Sequence, residues 1–74
     1  MSVTQKEIKS IKPGTIEAFN CDADTMYAVA TALSTIKRRG LPDGVAGYEH
    51  KKFFDKNIII IRAMREGDTP ILNI

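Results

Sequence analysis

One cysteine, one histidine, three prolines and no tryptophan occur in 74 residues, and each scarcity closes off a class of protein. A lone cysteine, Cys21, cannot form an internal disulfide. With His50 as the single histidine, the chain also falls short of a four-ligand structural zinc site. No metal and no cofactor is therefore expected. Low proline content, with 43% hydrophobic and 27% charged residues, argues against a disordered or fibrous chain. The longest stretch free of charge, residues 25–36, is interrupted by Thr31, Ser34 and Thr35, whereas a membrane span takes about 20 apolar residues. No membrane partner is expected. Lys6, Lys9 and Lys12 have no apolar run behind them, so no secretory signal is expected and the cytoplasm is the default compartment.

What is present describes one small domain spanning residues 1–74. Ala23, Met26, Val29, Ala30, Leu33 and Ile36 recur at three- and four-residue spacing, which lines one face of a helix over residues 22–39. Asp22 and Asp24 suit its positive end, and Lys37, Arg38 and Arg39 its negative end. Gly40 and Pro42 stop it, Gly40 as the left-handed residue of a C-terminal cap. Two segments rich in aromatic and β-branched residues, 48–54 and 58–63, flank Asp55-Lys56-Asn57 as a β-hairpin, with Asn57 able to adopt the left-handed conformation. Upstream, residues 15–20 alternate Ile16 and Ala18 with Glu17 and Phe19, as a half-buried strand does.

Residues 1–14 admit two readings. Thr4 with Glu7 spells the capping box of a short helix, while Lys12-Pro13-Gly14-Thr15 spells a tight turn that would pair residues 7–11 with the next strand. The strand is the preferred expectation. The tail, residues 66–74, ends in Ile71-Leu72-Asn73-Ile74 and is apolar enough to dock on the body. The fold class is therefore α+β, with one amphipathic helix packed on a three- to four-stranded, mostly antiparallel sheet in the order β-(β)-α-β-β.

Such a domain buries only about 60% of its unfolded surface, so a second copy is a ready source of further buried area. Two surfaces suit an interface. Ile58-Ile59-Ile60-Ile61 presents apolar side chains to both faces of the sheet, and one helix covers only one of them. The far side of the helix, with Ala28, Thr31, Ala32 and Thr35, carries no charge.

Charge is unevenly placed along the chain. Lys37, Arg38, Arg39, Lys51, Lys52, Lys56, Arg62 and Arg65 face only Asp43, Glu49 and Asp55 within residues 37–65, eight cations against three acids for a net +5, in a chain whose net charge is +2. In the first hairpin strand, Tyr48-Glu49-His50-Lys51-Lys52-Phe53-Phe54 interleaves cations with rings, the mixture that holds single-stranded nucleic acid by phosphate attraction and base stacking. The bland account is that a phenylalanine packs inward, the lysines keep an edge strand from pairing, and the helix-end cations complement the dipole. Gly44-Val45-Ala46-Gly47 has the GxxG spacing of a backbone clamp, but a strand follows it where that motif needs a helix.

Catalytic groups are few. The thiolate of Cys21 would be disfavoured by Asp22 and Asp24, which capping already explains, and no partner is positioned for His50 as a general base. The resulting expectation is a small non-enzymatic binding or regulatory module with no catalytic residue. It would hold nucleic acid through Lys37, Arg38, Arg39, Tyr48, His50, Lys51, Lys52, Lys56 and Arg62. The alternative is a protein-interaction module, a homodimeric adaptor or a small inhibitor of a larger protein, working through Ala28, Thr31, Ala32 and Thr35 or the second sheet face.

Overall fold

The computed structural model describes residues 3–72. Its elements are helix α1 (Gln5–Lys9), strand β1 (Ile16–Asn20), helix α2 (Ala23–Arg39), strand β2 (Gly47–Phe53), a single 3-10 turn (Phe54–Lys56) and strand β3 (Ile58–Met64). The three strands form one antiparallel sheet in the order β1-β3-β2, which is the expected α+β architecture. No helix among the described residues is long and apolar enough to cross a membrane.

The N-terminal expectation of a strand over residues 7–11 is corrected. The Thr4 hydroxyl accepts the Glu7 N–H at 3.2 Å, and the helix it caps buries Ile8. The turn signal is also realised, because Thr15 N–H donates to the Lys12 carbonyl at 3.0 Å and Gly14 adopts φ +84°. That turn joins a helix to β1, so the sheet stops at three strands.

In α2, Asp22 caps the helix by accepting the Thr25 N–H at 2.8 Å, while Asp24 lies in the first turn. Gly40 ends the helix at φ 129°, a positive value outside the left-handed helical well that was expected. Asn57 takes the left-handed conformation at φ 53° and closes the hairpin.

Register decides which side chains meet the helices. Phe19 pairs with Ile59 and Glu17 with Ile61, while Tyr48, His50 and Lys52 oppose Ala63, Ile61 and Ile59. Ile59, Ile61 and Ala63 join Ile8, Ile11, Met26, Val29, Leu33 and Ile36 in a single buried core. The alternate residues form an open face: Ile16, Ala18 and Asn20 from β1, Ile58, Ile60 and Arg62 from β3, Glu49, Lys51 and Phe53 from β2. Ile16 is 46% exposed there. Ile58 and Ile60 are half-buried with no helix over them, so the isoleucine run is two-sided as its composition implied.

The flank of α2 expected to be one open surface is divided. Ala28 and Thr31 are exposed, but Ala32 packs against the core and Thr35 is half-buried. The threonine hydroxyls donate within the helix, Thr31 to the Tyr27 carbonyl and Thr35 to the Thr31 carbonyl, which accounts for an uncharged stripe without a partner. The tail meets the sheet through the backbone, with the Ile71 and Leu72 N–H groups donating to Glu49, and not through the apolar side chains that suggested docking; Asn73 and Ile74, like Met1 and Ser2, lie outside the described residues.

Candidate nucleic-acid interface

Helix α2 and edge strand β2 leave a groove between them. Ala30, Leu33, Ser34 and Lys37 line it from the helix, and Tyr48 and His50 from the strand, around a volume of about 150 Å³. Period-two alternation carries Lys52 onto the same face as Tyr48 and His50, and helical spacing places Tyr27 on the stripe of Ala30, Ser34 and Lys37. The two meet: the Lys52 ammonium sits 4.8 Å from the centroid of the Tyr27 ring, and that ring is 6.0 Å from the Phe54 ring. Tyr27 is 59% exposed and Phe54 48% exposed, large rings left facing water beside a cation. From Tyr27 to Lys37 the stripe runs about 15 Å along the helix, at roughly 1.5 Å per residue.

Lys37, Arg38 and Arg39 are exposed at the C-terminal end of α2 and make no ion pair among the described residues. His50 is half-buried between the layers. Burial, reinforced by the nearby Lys52 charge, lowers its pKa below the ordinary histidine value, so the imidazole is neutral at pH 7. Burial pushes the Tyr48 phenol up, and its hydroxyl is enclosed without a hydrogen-bond partner.

The structure places Lys37, Tyr48 and His50 on the groove and Lys52 against Tyr27 at the other end of the helical stripe; helical spacing puts Arg38 beside Ser34 and turns Arg39 to the opposite side of α2, with Ala32 and Thr35. Lys51 points to the open face, where it lies 5.5 Å from the Phe53 ring centroid. Lys56 lines a depression on that same face. Arg62 is withdrawn into an internal network: its guanidinium lies 3.7 Å from Glu49 and 3.5 Å from Asp68, and donates to the Thr69 carbonyl at 3.0 Å. An arginine so engaged is structural and does not add to the groove.

Tyr27 is the candidate-site residue outside the sequence expectation, whereas Phe54 closes the ring-and-cation run over residues 48–54. The available signal was the spacing of Tyr27, Ala30, Ser34 and Lys37, a second helical stripe beside the apolar one.

Cys21, the nearest thing to a nucleophile, is buried, and desolvation followed by the adjacent Asp22 charge raises its thiol pKa. No cluster of three metal-ligating side chains occurs among the described residues. Comparison with known protein families, with curated proteins and with solved structures finds no match.

Proposed function

We propose that this chain is a small non-enzymatic module that holds single-stranded nucleic acid in the groove between α2 and β2. The carrying observation is the exposed Tyr27-Lys52-Phe54 cluster continuing into a groove lined by Lys37 and His50, with no carboxylate among the groove-lining residues. Rings of this kind supply stacking that tolerates any base, worth about 1–3 kcal/mol per base, and the ammonium groups supply phosphate attraction. Lys37, Arg38 and Lys52 are the phosphate contacts in this reading, Tyr27 and Phe54 the stacking platform, and Arg39 faces the other side of α2. Lys51, Lys56 and Arg62 are left out of it by their placement.

A labelled oligonucleotide titrated at several salt concentrations tests the reading. Binding weakens as salt rises, with a log–log slope near −0.7 for each phosphate neutralised on a single strand. Tyr27→Ala weakens binding without changing that slope, and Lys52→Gln reduces the slope. Equal, negligible binding of single-stranded DNA, single-stranded RNA and duplex at low salt contradicts it.

A further inference from the structure

The opposite face of the sheet carries a feature that nucleic-acid binding does not use. Glu49 is buried, yet its carboxylate accepts three hydrogen bonds from the tail: two from the Ile71 N–H at 3.0 and 3.1 Å, and one from the Leu72 N–H at 2.9 Å. Arg62 takes the Thr69 carbonyl at 3.0 Å. The pair therefore grips backbone groups of a bent segment, in which the successive N–H groups of Ile71 and Leu72 converge on one carboxylate, and Ile71 itself is 46% exposed. Neither Ile71 nor Leu72 packs against the core. Beside this grip lies an apolar depression of about 260 Å³, lined by Ala18, Phe53, Lys56, Ile58 and Ile60 and not filled by the described tail.

We infer that the Glu49–Arg62 pair and the adjoining depression form a receptor for a short, bent apolar segment of a partner protein, occupied in cis by residues 69–72 as a displaceable strap. The seated strap itself defines the ligand chemistry: a backbone offering two successive N–H groups to Glu49 and a carbonyl to Arg62. An incoming segment that makes these contacts and places an apolar side chain in the depression gains a contact that residues 69–72 do not make. Charge selects among such segments. Lys51 and Lys56 stand on this face without an ion pair among the described residues, so a segment flanked by acidic residues fits and a basic one is repelled. Gly67, at φ 88° in the turn that leads to the strap, is the natural hinge.

Fluorescence anisotropy with a labelled peptide of the sequence of residues 66–72, flanked by glutamates, tests this on the full chain. Ile71→Pro removes one amide donor in cis; the peptide then binds that variant about tenfold more tightly than the wild type, because the tethered competitor no longer occupies the face. N-methylation of the peptide's two donor nitrogens abolishes binding, and lysine flanks weaken it. Wild-type hydrogen exchange gives a reading free of mutation: the Leu72 amide exchanges orders of magnitude faster than the Ile61 amide, through local opening. Equal protection of the two amides, unchanged binding of the N-methylated peptide, or no gain for Ile71→Pro overturns the inference. So does dimerisation of the wild type through this face with no peptide binding, which would assign it to a second copy.

Discussion

At the scale of single residues, the structure separates side chains enclosed in the fold from those left exposed, and Tyr48 belongs to the first group. Its hydroxyl is enclosed without a partner, and an unsatisfied buried polar group costs about 1–3 kcal/mol. Tyr48→Phe is accordingly expected to raise thermal stability by about 1 kcal/mol while leaving strand binding intact, since the ring stays in place; a fall in Tm would mean that the hydroxyl is satisfied. His50 makes a second residue-scale prediction. Because its folded pKa lies below the ordinary value near 6.5, the unfolded chain binds a proton first as pH falls. The stability it contributes is complete above that value and is lost as pH drops from 6.5 toward the folded pKa. His50→Gln flattens the Tm-against-pH curve in that interval. Protonation also adds a cation to the groove, so affinity for a polyanion rises on acidification in the wild type and not in the variant.

Elements come next, and here the turn before β1 is the most exposed to test. Gly14 holds φ +84°, where a side chain is strained, and a Cβ there would stand 2.9 Å from the Arg65 guanidinium. Arg65 can swing aside, so the backbone decides: Gly14→Ala costs about 1–3 kcal/mol by chemical denaturation. Helix α2 and the hairpin were legible in the sequence because their signals are local: apolar spacing, caps, and an asparagine at the turn. The N-terminus was not, since a capping box and a tight turn sit side by side and both are used.

Site residues divide along the same line. Lys37, Tyr48, His50 and Lys52 were legible, but Lys51 could not have shared their face, because adjacent strand residues point apart. Arg62 was opaque for another reason. Its partners Glu49 and Asp68 arrive from the neighbouring strand and the tail, and the Glu49 contact to Ile71 spans 22 residues of chain. Tyr27 was opaque because it lies off the apolar stripe of α2, on a second one with Ala30, Ser34 and Lys37.

For the molecule as a whole, a sheet with helices on one side and a short strap on the other yields two chemically distinct surfaces. One is basic and aromatic at the α2–β2 groove, the other apolar with a backbone grip at Glu49 and Arg62. The core between them is small. Ile61, fully buried at the centre of the sheet, is expected to lose roughly 2–5 kcal/mol on replacement by alanine, a large share of the stability of a domain this size, so Ile61→Ala unfolds at much lower denaturant than the wild type. The central claim concerns the first surface, and chemical-shift mapping of the labelled protein during titration with a short single-stranded oligonucleotide tests it most directly. The account predicts that the perturbed amides and side chains cluster at Tyr27, Ala30, Ser34, Lys37, His50, Lys52 and Phe54. Perturbations confined to Ile16, Ala18, Ile60 and Lys51 on the open face, or none at low salt, would contradict it.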